Sequence, residues 1–350
     1  MSEMLTVMVV SDPGLPSRRV AHVRDQLERD VQEWCGRPVT VEMRQRQLRL
    51  TPQNSLELDE IAHVTEELEL GADTVLVVTE IPRHSQGKPL VAELRPDIGA
   101  AILSLPTLGV VRTRARLRRL MLACIARSVP VAPGRDVADL DRRWAHWGDT
   151  VHGQTCALLA STWTAAPRIV AGMTAANEPL RVALRLSSAL AAAAAVGAFG
   201  IFYHSIWQMA SALSVLRLAV IAVAAVVAMT LWLLLSNRLW DRARLEPMRR
   251  IVALYNVSTV LTLVVCVVAL YAVLSVLILV GSALVIDPDF MASVLGQKAS
   301  WADYAAVAWL SAAMGVVAGA LGSSFDSDTE VRDLTHGQRE RQRFQQHTED

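Results

Sequence analysis

The feature that most constrains this chain is Ile251–Ile286, a run of 36 residues without one charged side chain. As a helix rising about 1.5 Å per residue it is longer than the roughly 30 Å hydrocarbon core of a bilayer. Two spans would need a turn near its middle, yet Leu263–Tyr271 has no Gly, Pro or charge. One long, tilted helix with interfacial ends is therefore expected. Leu186–Tyr203, Leu218–Leu235 and Ala305–Gly322 are shorter charge-free stretches. Extended into their flanks, the spans are expected at about 186–203, 214–236, 254–282 and 304–322.

Charge divides the rest of the chain. Residues 1–185 carry 45 Lys, Arg, Asp and Glu side chains and residues 186–322 only 12, which implies a water-facing part followed by a membrane part. Segment charges of +1, +2 and −3 (the tail 323–350) leave no large single-sign field, so nucleic acid is not an expected partner. The four cysteines, Cys35, Cys124, Cys156 and Cys266, form no CxxC pair and read as free thiols. The N-terminus lacks the basic region and cleavage site of a signal peptide and reads as a first strand.

Arginine supplies the orientation. Arg238, Arg242, Arg244, Arg249 and Arg250 fill one loop, and Arg168, Arg181 and Arg185 precede the first span, whereas the opposite loops offer only Arg217 and Lys298. Positive charge collects on the cytoplasmic side, so four spans with both termini cytoplasmic, in the inner (cytoplasmic) membrane, are expected. Trp207, Trp232, Trp240 and Trp301 fall near span ends, where aromatic rings favour the headgroup region. No Asp, Glu or His occupies the middle of a span, which argues against a proton relay or charge-coupled transporter. Ala189, Ala193 and Gly197, and likewise Ser311, Gly315 and Gly319, recur every four residues. Such stripes permit close helix approach, within the chain or to a membrane-protein partner or second copy.

Residues 1–130 alternate strand and helix signals. Leu5–Val10 is a strand ending at the Asp12-Pro13-Gly14 turn, and Ser17–Cys35 puts Val20, Val23, Leu27, Val31 and Trp34 on one helical face with Gly36 as its stop. Strand Val39–Met43 follows, then a helix from the capping box at Asn54–Glu57 to Leu70. Strands Thr74–Thr79, Pro89–Leu94 and Ile98–Leu105 and helix Val111–Ser128 complete an α/β cytoplasmic domain. Residues 131–185, with a helix over Asp136–Trp163, read as a helical juxtamembrane connector. Residues 186–322 form an all-α four-helix transmembrane domain, and 323–350 a polar cytoplasmic tail.

Few residues suggest chemistry. Asp12, Glu80 and His84 follow or flank strand ends, where α/β sites form, and are the pocket candidates for an enzyme. Arg112, Arg114, Arg116, Arg118 and Arg119 are candidates for anionic-lipid or phosphate contact; they are equally the solvated face of a helix whose other face carries Leu117, Leu120, Met121 and Ile125. His63 and Glu66 share one helical turn, but a metal needs further ligands, and no metal site is expected. There is no P-loop, no GxGxxG after a strand and no G-x-S-x-G elbow, so no cofactor is expected.

Two resemblances can be drawn. Thr74–Leu108 is similar to the strand-hairpin-strand that precedes the catalytic helix of archaemetzincin-type zinc peptidases. That family continues into HExxH; Val111–Ser128 has no His and no Glu, so the resemblance implies a degenerate scaffold and no catalytic residue carries over. Gly172-Met173, Ala176-Asn177, Pro179, Gly197-Ala198-Phe199-Gly200, Ile206-Trp207, Leu254-Tyr255-Asn256, Asp303-Tyr304, Ala308-Trp309-Leu310, Gly319–Gly322 and Val331-Arg332 resemble an actinobacterial multi-pass membrane-protein family. Some of its members are labelled methylenetetrahydrofolate dehydrogenase. The Tyr-x-x-x-Lys and Gly-Arg-Ser motifs of that enzyme are missing here, where the only lysines are Lys88 and Lys298. The expectation is an integral membrane interaction or scaffold protein; a membrane-anchored enzyme is the alternative, and a small-solute transporter or channel a third.

Overall fold

The computed structural model describes residues 4–46, 71–85, 88–141, 145–149, 156–160, 162–180, 187–241 and 249–322. The expected helix over 54–70, with His63 and Glu66, lies outside them, as do Arg181, Arg185, Arg242, Arg244 and the tail. The chain divides after Ala176 into an α/β unit and a helical unit.

Strand β1 (Leu5–Ser11) is almost entirely buried and anchors the sheet. Helix α1 (Leu15–Cys35) buries Val20, Val23, Leu27 and Val31 on one face. It ends at Gly36, whose φ of 67° lets its N–H reach Gln32 O at 2.9 Å. This crossover brings β2 (Val39–Gln45) parallel to β1. On the other side of β1 lie β3 (Thr74–Thr79), parallel to β1, and then β6 (Ala100–Ser104), parallel to β3. Between them the chain makes β4 (Arg83–Ser85) and β5 (Lys88–Arg95), and β5 runs antiparallel to β4 and β6. Helix α2 (Thr113–Ser128) then packs against α1, with Arg118 reaching Asp30 at 3.1 Å and Gln26 at 2.8 Å.

The segment expected to be a helical connector differs. Val137–Leu140 is a short 3-10 turn, and β7 (Ala145–Asp149) and β8 (Cys156–Ala160) extend the sheet, giving the order β2-β1-β3-β6-β5-β8-β7. Among the described residues there, the full helix is α3 (Thr162–Ala176). Cys-Ala-Leu-Leu-Ala has no period of its own; the free edge of β5, pairing Leu94 with Cys156 and Leu90 with Leu159, makes it a strand. Helix α3 returns over the turn Leu105–Leu108. At Gly172 a Cβ would stand 2.2 Å from Pro106 O, so only glycine permits that approach.

The helical unit contains α4 (Ser187–Phe202), α5 (His204–Ala212), α6 (Val215–Ser236), α7 (Arg249–Val285), α8 (Pro288–Leu295) and α9 (Trp301–Gly322). Among the described residues, three stretches are long and apolar enough to cross a membrane: Val215–Ser236, Val252–Val285 and Trp301–Gly319. The pair α4–α5, bent by 86°, makes a fourth if it is counted as one span. The charge-free run is one unbroken helix and not a hairpin.

Small residues bring α4 and α9 together. A Cβ on Gly315 would meet Ala193 O at 2.5 Å, and one on Gly200 would meet Ser311 Oγ at 1.7 Å. A Cβ on Gly197 would meet Ile278 of α7 at 2.7 Å. Much of both small-residue stripes is thus used between helices of the same chain. Helices α5 and α8 pack on one another, with Gln208 Nε2 donating to Val294 O at 3.2 Å. The α4–α6 and α7–α9 connections therefore lie at one end of the bundle. Tyr304 of α9 hydrogen-bonds Ile286 O, and Gly315 faces Leu274, so α9 runs antiparallel to α7 and its last residue is level with about residue 267. Helix α7 continues beyond that level for about 27 Å.

Candidate functional site

The strand order reverses at β1, with β2 on one side and β3 on the other. In open α/β sheets the crevice at the carboxyl ends of such strands is the usual ligand site. Asp12 directly follows β1 and Glu80 directly follows β3, so the two sequence candidates do meet there. They meet inside protein. Asp12 is fully buried; its carboxylate accepts from the Thr79 hydroxyl at 2.7 Å and from the Glu80 backbone N–H at 3.1 Å. Thr79 Oγ1 accepts in turn from the Ile81 N–H, and Ser104 Oγ donates to Ile81 O at 2.8 Å. Ser11, Glu80, Ile81 and Leu105–Leu108 are buried around them. This network ties the ends of β1, β3 and β6 to each other.

His84 stands on β4. Leu90 of β5 pairs with Arg83 on one side and Leu159 on the other, while Ala92 pairs with β6 and β8, so β4 extends the β6 side of β5 beyond the carboxyl end of β6. His84 thus joins the same edge of the sheet. Burial pushes its pKa below the ordinary imidazole value, and its Nδ1 is buried without a hydrogen-bond partner among the described residues. Its neighbour Arg83 pairs with Glu93 at 2.5 Å; burial lowers the guanidinium's pKa while Glu93 opposes that shift.

The five arginines do not act as one surface. Arg116 donates to Leu108 O at 2.6 Å, Arg118 bridges to α1, and Arg119 donates to Leu140 O at 3.4 Å and to Asp139 O. These three hold α2 to its surroundings. Arg112 and Arg114 are exposed at the start of α2, just after Val110 and Val111, which are 49% and 68% exposed. Arg112 adopts a left-handed φ of 52°. Arg19 on α1 lies near them: burial lowers its pKa, and Arg114 and Arg18 add to the shift. Arg168 on α3 likewise has a pKa lowered by burial and then by Arg116. The basic character of this edge therefore draws on three helices. Arg19 and Arg168 are distant from the cluster in sequence, and only the fold brings them to it: Arg168 packs over Gly109, and α1 lies against α2.

A cavity of about 20 Å³ lies beneath Arg116 and Arg119 against Leu140, Asp141 and Trp147. It has room for about one water and no organic ligand. Arg127 covers the Trp147 ring at 4.4 Å and reaches Asp141 at 2.5 Å. Among the described residues no three His, Cys, Asp or Glu gather in a metal-binding group. No protein-family model, curated protein or solved structure matches the chain.

Proposed function

We propose that this chain is a four-span protein of the cytoplasmic membrane whose bundle anchors a non-catalytic α/β binding module, with both termini in the cytoplasm. The observation that carries the anchor is a stripe along α6. Val215, Leu216, Val220, Val223, Val227, Leu231 and Leu235 are all at least half exposed and recur at helical spacing. So long an apolar face is stable in lipid and not in water. The packing of α5 on α8 supports four crossings, since it requires both connections at one end, and the arginine-rich loops at the other end favour the cytoplasm.

Binding is favoured over catalysis because the switch-point crevice is filled by the Asp12–Thr79–Glu80 network. The resemblance to an actinobacterial membrane-protein family is part of the same proposal. Reporter fusions at the C-terminus and in the 296–300 connection test the anchor: cytoplasmic and external signals respectively are expected, and an external C-terminus overturns the count. An Asp12→Asn variant that keeps wild-type stability but loses a cellular function would overturn the non-catalytic reading.

A further inference from the structure

We infer that the α/β unit docks on the anionic leaflet through the edge formed by Val110, Val111, Arg112, Arg114 and Arg19. This deepens the proposed function by naming what the module contacts, and it rests on the membrane anchor of that reading.

Three observations converge on this edge. Val110 and Val111 project into solvent at the tip of the loop between Gly109 and α2, where two large apolar side chains otherwise gain nothing. Arg112 and Arg114 follow that tip, both exposed, and Arg19 stands on α1, which packs against α2 and brings it within electrostatic reach of Arg114. None of Arg19, Arg112 and Arg114 has an ion pair among the described residues, whereas Arg118, Arg127 and Arg135 each reach a carboxylate. There is also no acidic residue in the first turn of α1 or α2 to offset the charge. An exposed apolar tip with exposed arginines directly after it matches the acyl-headgroup boundary of an anionic leaflet, where side chains insert and arginines meet phosphates.

The chain itself limits where this edge can go. The α/β unit ends at Ala176 and the first apolar helix begins at Ser187, eleven residues on. The first residues of that connection are held on α7, Asn177 by Thr262 and Pro179 by Cys266, so the free part of the tether is short. The edge is thus held at high effective concentration near the leaflet, so weak contacts suffice. Each arginine near an anionic surface contributes about a five-fold factor, and three together about a hundred-fold. A nucleic-acid polyanion would be met by the arginines and would leave Val110 and Val111 in water.

The test uses the full chain in lipid nanodiscs with or without phosphatidylglycerol. Cys35 and Cys156 are replaced by serine, Val111→Cys carries an environment-sensitive fluorophore, and a headgroup-linked quencher is placed in the disc. Quenching that requires phosphatidylglycerol, falls with salt and drops by more than about a hundred-fold in apparent docking constant in R19E/R112E/R114E, where each attraction becomes a repulsion, is expected. A probe at Gln26→Cys on the exposed flank of α1 should stay unquenched. Equal quenching in neutral discs, equal quenching at both positions, or indifference to the triple reversal would overturn the inference. So would quenching relieved by RNA or a phosphopeptide while phosphatidylglycerol has no effect. Because incorporation into the disc reports the anchor separately, failure of docking and failure of the membrane reading are distinguishable.

Discussion

Asp12 shows how a side chain that reads as chemistry serves structure. Its carboxylate holds the Thr79 hydroxyl and the Glu80 N–H at the meeting point of two buried strands. Asp12→Ala strands both donors without water, and a loss of about 2–3 kcal/mol is expected by denaturant unfolding of the detergent-solubilised protein. A catalytic Asp12 would instead give an inactive variant of unchanged stability. His84 supplies a pH dependence. Its folded pKa lies below the unfolded value of about 6.5, so the unfolded chain binds a proton more readily. Stability from this group is complete above that value and declines as pH falls through it. His84→Gln should flatten that part of a melting-temperature profile, and an unchanged acid limb would refute the assignment. Cys124 is fully buried, and its thiol pKa is pushed up to about 12. Iodoacetamide at neutral pH should therefore modify it only after unfolding. Strand positions of Asp12 and Glu80 were legible from Leu5–Val10 and Thr74–Thr79. Their mutual satisfaction was not, because it depends on which strands become neighbours.

At the scale of elements, the strands that could be read were those with apolar runs bounded by Gly, Pro or Asp. β1 ends at Asp12-Pro13-Gly14 and β3 begins after Gly71-Ala72-Asp73. β7 and β8 carried no such signal; Gly148 sits within one and the other, Cys-Ala-Leu-Leu-Ala, has no alternation, so pairing of β8 with β5 and of β7 with β8 decides their form. The arginine cluster was visible as composition, but the partition between Arg112 and Arg114 outside and Arg116, Arg118 and Arg119 inside follows from where Leu108, Asp30 and Leu140 lie. Close helix contacts yield a sharper expectation. Gly315→Val places methyl groups against the Ala193 carbonyl and should separate α4 from α9, lowering the melting temperature markedly. Val317→Leu on the exposed side of the same helix should leave it nearly unchanged. The 86° bend at Tyr203 predicts that a spin label at Met209→Cys reports headgroup depth, while one at Val223→Cys on α6 reports the hydrocarbon.

For the whole molecule, charge placement and hydrophobic length act on different properties. In the four-span proposal the number of crossings rests on α4, α6, α7 and α9, whereas their direction rests on the arginines in the connecting segments. Replacing Arg238, Arg242 and Arg244 by glutamine while adding arginines beside Lys298 should yield mixed orientation in paired reporter fusions without loss of protein. Retention of a single orientation would place the determinant ahead of the first span. The division after Ala176 further implies that sheet and bundle have separate cores, one led by Val77, Ile102 and Met8 and the other by Leu274, Val316 and Met229. Core substitutions in one unit should leave the unfolding transition of the other in place.

The length of α7 has a mechanical consequence. A helix of 37 residues is a rod of about 55 Å, held near its start by Asn256 on the Asp241 backbone, further along by Asn177 on Thr262, and at its other end by Tyr304 on Ile286 O. Its hydrogen-bond ladder contains neither proline nor a break, so a tilt imposed at one end is passed to the other. A tilt of about ten degrees offsets its two ends by about 10 Å. Changes in bilayer thickness, which helices absorb by tilting, are thereby passed on as lateral displacement to the segments bonded along it.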